Sequence, residues 1–140
     1  WIFRPAGENT VNVSVAFVNR EKVRLSEIQA AVMLSSEFQR WQAAENGGSK
    51  QEGHIPHSFK NDQWQVFWRG KGDRITGYSS LAPKVVLFRH AGDMFCNDIA
   101  VMNTDNQLKS FVMMFTGSPA QELDAGEHLL FEGDLRLEEQ

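Results

Sequence analysis

Between residues 84 and 115 the chain reads as three consecutive strands, and no other feature restricts its fold so tightly. Lys84-Val85-Val86-Leu87-Phe88-Arg89-His90 runs into the turn residues Ala91-Gly92-Asp93, Met94 to Met102 follows, and the polar Asn103-Thr104-Asp105-Asn106 leads to Gln107 to Phe115. Apolar runs of this length, bounded by Gly, Asn and Asp, are strand signals. Connections so short join antiparallel neighbours, because a parallel return needs a crossover of about a dozen residues. An antiparallel meander is therefore expected. Three of the five methionines, Met102, Met113 and Met114, flank its last turn. Phe111 and Met113 fall on one face of the third strand, and Val112 and Met114 on the other. One apolar face belongs to the core, so the other needs a second cover or stands exposed.

Elsewhere the pattern is mixed. Val11, Val13, Val15 and Phe17 alternate with Asn12, Ser14, Ala16 and Val18, a period of two that marks a half-buried strand. Residues 26 to 45 carry a helical pattern instead. Ser26 with Gln29 three residues on fits a capping box, and Leu25 can staple the start. Ala30, Leu34, Phe38 and Trp41 form a stripe widened by Ile28, Val32 and Met33, before Asn46-Gly47-Gly48 stops the run. Residues 46 to 63 read as a long polar loop around Pro56. Trp64 to Trp68 and Arg74 to Tyr78 read as strands about the turn Arg69-Gly70-Lys71-Gly72-Asp73. His128 to Phe131 and Leu135 to Leu137 suggest a last hairpin about Glu132-Gly133-Asp134. One helix among many strands predicts an α+β domain: a long amphipathic helix packed on a curved, mainly antiparallel sheet of five to seven strands.

At 140 residues the chain is expected to form a single domain spanning 1–140. A 41% hydrophobic and 23% charged composition is that of a globular protein. The start at Trp1 reads as a processed or excised piece of a longer chain, with a preference for an extracytoplasmic (periplasmic or secreted) setting. No apolar run reaches the roughly 18 residues of a membrane span. Residues 120 to 140 hold seven acids against one base, a local charge of −6 that leaves +2 on residues 1 to 119. A balance of that kind argues against nucleic acid as a partner, which feeds on excess positive charge. Cys96 alone makes no internal disulfide and reads as a small buried hydrophobe.

Several residues could carry chemistry. His54 and His57 could clasp a metal only with a third ligand that no spacing identifies, so neither metal nor cofactor is expected. His90 with Asp93 or Asp98 could form a general-base pair, although ordinary turn chemistry explains Asp93. Arg69, Lys71 and Arg74 beside Trp68 could hold an anion or nucleotide. No catalytic residue is assigned. The reading these residues favour is a non-enzymatic domain that binds a protein partner, a second copy or a small apolar ligand. Its binding residues would be Trp64, Trp68, Arg69, Lys71, Arg74, Phe111, Met113 and Met114. The rival is a small enzyme of helix-in-curved-sheet type using a His–Asp pair.

Overall fold

The structure is a computed structural model that describes residues 1–45, 48–55, 65–90, 95–103, 111–117 and 122–139. Its elements are strands: β1 (Ile2–Gly7), β2 (Thr10–Asn19), β3 (Ile28–Leu34), β4 (Phe38–Ala44), β5 (Lys50–His54), β6 (Gln65–Lys71), β7 (Arg74–Ser79), β8 (Lys84–Arg89), β9 (Asp98–Asn103), β10 (Phe111–Gly117) and β11 (Gly126–Glu138). They form two antiparallel sheets, β1-β2-β11-β8-β7-β4-β5 and β3-β10-β9-β6. One apolar cluster draws on both: Val13, Val15, Trp41, Ile75, Leu87 and Phe131 from the larger sheet, and Ile28, Leu34, Ile99, Val101, Met113 and Phe115 from the smaller. The molecule is a two-layer β-sandwich.

No helix occurs among the described residues, so the expected α+β architecture is wrong. The error lies in residues 26 to 45, and its cause is numerical. Ala30, Leu34 and Phe38 are spaced by four, which satisfies a helical face and a strand face alike. In the structure Ile28, Ala30, Val32 and Leu34 point into the core while Gln29, Ala31 and Met33 point out. Trp41 breaks the even spacing, yet it still faces inward, because a bulge between Phe38 and Arg40 shifts the phase by one residue. The Phe38 N–H donates to the Ser35 carbonyl at 3.1 Å, closing the turn by which the chain passes from the smaller sheet to the larger. Seven register pairs with β10 fix β3. These long-range ladders override a capping pattern that is worth about 1 kcal/mol.

The meander is also corrected. Only β9 and β10 form a hairpin; β8 lies in the other sheet, between β7 and β11. The turn residues 91 to 93 lie outside the described residues. The expected loop 46–63 holds β5, which lines the edge of the larger sheet. The expected last hairpin is instead one strand of 13 residues, paired to β2 and β8. Gly133 makes no turn there. A Cβ on it would come within 2.1 Å of the Phe88 carbonyl oxygen, so glycine serves close strand approach. A bulge at Leu130 turns both Leu130 and Phe131 inward.

Two details fix the sandwich. The Trp41 and Trp68 rings, one from each sheet, lie 5.5 Å apart. Gly53 makes room for the first, since a Cβ there would stand 2.7 Å from the Trp41 ring. Cys96 is fully buried, and burial pushes its thiol up to about 12 against smaller downward pulls from a backbone hydrogen bond to Ala30 and from Arg89. A thiol without thiolate is unreactive. Native protein at pH 8 should therefore consume no thiol reagent within an hour, and one equivalent after unfolding in urea. Fast reaction in the native state would place Cys96 outside the core.

Candidate functional site

The smaller sheet turns one face to the core and the other outward, and the outer face is apolar across its full width. Register places Met33 (β3), Val112 (β10), Met102 (β9) and Val66 (β6) in one row. The ends of the row stand open, with Met33 53% and Val66 50% exposed. Val112 and Ala100 are buried, and with Met102 they form an apolar cluster separate from the main core. By register the next row is Ala31, Met114, Ala100 and Arg69, and the one after it Gln29, Thr116, Asp98 and Lys71. The face thus grades from apolar to polar.

Its polar end is held by cross-strand pairs. Glu27 accepts hydrogen bonds from Arg69 at 3.3 Å and from the Thr116 hydroxyl at 3.0 Å, and Lys71 pairs with Asp98 at 2.5 Å. A cleft of about 390 Å³ opens among Ser26, Glu27, Arg69, Asp98, Thr116 and Gly117. Val112 and Ala100 in the middle of the face are already covered, so its open apolar surface lies at Met33 and Val66, with the polar pairs bordering it.

The structure scatters the residues expected to bind. Met113 is fully buried in the core, and Trp68 is half-buried against Trp41, so neither presents a surface. Trp64 lies outside the described residues, and the side chains of Phe111 and Met114 do as well. Arg69 and Lys71 share the outer face of the smaller sheet but are ion-paired there, whereas Arg74 belongs to the larger sheet. The basic turn is therefore not one surface. Gly72 answers to packing, because a Cβ on it would stand 2.6 Å from Ile99 and 2.8 Å from the Ala44 carbonyl oxygen.

The proposed His–Asp pair is also rearranged. Asp98 is engaged with Lys71 on the smaller sheet, and Asp93 lies outside the described residues. His90 Nε2 instead lies 3.2 Å from Oδ1 of Asp134. Arg136 donates to Oδ2 of Asp134 at 2.6 Å, and the Asn12 side-chain amide to Oδ1 at 3.4 Å. Burial alone would raise the Asp134 carboxyl. The hydrogen bonds from Arg136, His90 and Asn12 outweigh it and hold the group below its ordinary value of 3.8. Both carboxylate oxygens of Asp134 thus already have partners, and the cluster ties β2, β11 and the residue that follows β8 together. Asn12 spends its side-chain amide on this tie and on the Gly133 carbonyl. His54 sits at the exposed end of β5, and His57 lies outside the described residues. Among the described residues no three of His, Cys, Asp and Glu gather as metal ligands, and no helix is long and apolar enough to cross a membrane.

Met33 and Val66 are surface residues that the sequence pattern leaves unmarked. A helical stripe absorbs Met33; in a strand it alternates against Ile28, Ala30, Val32 and Leu34, and that alternation is the signal that places it outside. A second exposed group sits on the edge strand β1, where Trp1 and Phe3 stack at 6.0 Å and are 62% and 61% exposed. Pro5 lies in the same strand and cannot donate to a further ladder.

The fold defines an all-β, two-sheet sandwich. No protein-family model matches the chain, and neither a curated protein nor a solved structure is significantly similar to it.

Proposed function

We propose that this chain is a binding domain that recognises a protein partner through the outer face of the smaller sheet. The observation that carries the reading is the exposure of Met33 and Val66 at the two ends of the row Met33–Val112–Met102–Val66, whose middle is buried. Such a row on a sheet face supports a protein rather than a small apolar ligand, because small-ligand sites are concave and enclosing. The rim of Glu27, Arg69, Asp98 and Lys71 carries both signs of charge, which selects register and orientation rather than a partner of one sign.

The test uses photo-crosslinkable residues at 33 and 66, with the highly exposed Leu81 beyond β7 as control. The same protein should crosslink from 33 and 66 and not from 81. Met33→Asp with Val66→Asp should weaken that complex at least about tenfold, since each buried methionine or valine is worth about 1.5–3 kcal/mol. The thermal midpoint should fall by only a few degrees, as surface substitutions cost about 0.5 kcal/mol. Equal crosslinking from all three positions, or unchanged affinity in the double variant, would overturn the reading.

A further inference from the structure

The opposite outer face, that of the larger sheet, carries a distinct polar site. Register aligns His54 (β5), Arg40 (β4) and Tyr78 (β7) in one cross-strand row. The Arg40 guanidinium lies over the Tyr78 ring, 5.1 Å from its centre. Among the described residues no carboxylate is within ion-pair distance of it. A cleft of about 500 Å³ opens over this row, with Glu37, Gln39, Ser80 and Lys84 also on its walls. A second cleft of about 370 Å³ shares Arg40 and His54 and adds Trp41 and Glu52. Both volumes fall in the range of small-ligand sites, about 300–1,000 Å³.

The second cleft reaches the edge of the sheet at Gly53, where the Trp41 ring packs from the core side, so Arg40 and His54 are the groups both clefts share on the outer face.

The charges define the ligand. Arg40 offers a planar fork that matches one carboxylate through paired hydrogen bonds. Glu37 stands in one cleft and Glu52 in the other, so a polyanion laid along both would meet repulsion on either side of Arg40. Lys84 is already paired with Glu138 at 3.4 Å. The Tyr78 hydroxyl donates to Gln42 Oε1 and the Gln39 amide to the Ser36 carbonyl, each at a long 3.5 Å, and with the Ser80 hydroxyl and the Glu37 carboxylate they mix donors with acceptors as a polyol requires. The geometry points to a sugar acid as ligand: a hexuronate, free or as the single acidic residue of an otherwise neutral oligosaccharide. Its carboxylate meets Arg40, and its hydroxyls meet the walls.

Isothermal titration of the whole chain tests this with free glucuronate, with xylotriose bearing one 4-O-methylglucuronate, and with unsubstituted xylotriose. One or both acids should bind, and neutral xylotriose at least tenfold more weakly. Binding of glucuronate alone as tightly as of the oligosaccharide identifies the free sugar as ligand; a clear gain from the oligosaccharide identifies the glycan. Arg40→Gln, at an exposed position, should keep the thermal midpoint and lose at least tenfold in affinity. Met33→Asp with Val66→Asp, on the other sheet, should leave this binding unchanged whatever becomes of the protein partner. Absence of binding to both acids, equal binding of xylotriose, or unchanged affinity in Arg40→Gln would each overturn the assignment.

Discussion

Gly117→Ala should cost the folded state at least about 3 kcal/mol, at or beyond the upper end of ordinary overpacking. Gly117 closes β10 and is buried. A Cβ built on it would lie 1.6 Å from the carbonyl oxygen of Phe95 and 3.2 Å from the Cα of Cys96. Both obstacles are backbone, so no rotamer change relieves them. The segment cannot simply retreat, because the Cys96 N–H donates to the Leu130 carbonyl at 3.1 Å and its side chain is fully buried. The variant must either pull β10 off its ladders or unseat the core under Phe115 and Phe131, whose rings lie 5.3 Å apart. Urea unfolding checks this: the midpoint should fall by more than about 1 M, given a slope of about 1–3 kcal/mol/M. Gly126→Ala is the contrast. Nothing lies within 4 Å of the point where its Cβ would stand, so only its φ of 144° is strained, for about 1–3 kcal/mol. Equal stability of Gly117→Ala and the parent would mean that the segment at Phe95 and Cys96 does not lie against β10.

Asp134→Ala is expected to cost about 2 kcal/mol, less than the ~3–5 kcal/mol of breaking a fully buried pair. The discount follows from the partners, since the Arg136 and His90 side chains are 40% and 34% exposed and regain water when the carboxylate goes. Asn12 loses one of its two acceptors, keeping the Gly133 carbonyl at 3.2 Å. The pH dependence is the sharper readout. The folded protein holds the Asp134 carboxyl below its ordinary 3.8, so the contribution is complete above about pH 5. It is lost as pH falls through the folded value, where protonation removes the charge that Arg136 and His90 meet. The stability gap between the parent and Asp134→Asn should therefore be present above about pH 5 and close toward about pH 2. A gap that stays constant across that range would show that the carboxylate charge adds nothing to these contacts.

Local pattern reveals those elements whose pattern admits one period. The alternation of Val11, Val13, Val15 and Phe17 places β2, and Arg74 to Tyr78 places β7. The run from Lys84 places β8. Where two periods fit, local pattern misleads. Spacings of four between Ala30, Leu34 and Phe38 are even, and a bulge then absorbs the odd step to Trp41. No local signal announces a bulge whose reason is the ladder with β7. The same limit hides the candidate surface. Once 28 to 34 is a strand, Met33 faces outward by simple alternation. Its neighbours Val112, Met102 and Val66 come from three other strands, and only registers bring them into line. Two apolar faces on the strand at 111 to 117 are nevertheless legible. Met113 and Phe115 feed the core, and Val112 the outer cluster.

By itself the sequence determined antiparallel, turn-punctuated strands with a surplus of apolar strand faces, because alternation and short connections are local properties, but it set them beside a long helix that the structure does not contain. Tertiary structure alone decided that residues 26 to 45 are two strands, that β8 and β9 part company into different sheets, that His90 meets Asp134 and that Asp98 meets Lys71. The reason is common to all of these. Strand pairing energy is collected between residues distant in the chain, so a helical cap or a nearby carboxylate loses to a ladder that no local window contains. The apolar surplus on the strand at 111 to 117 is visible in the chain alone; which of its residues are core and which surface is settled by the sheet that lies across from it.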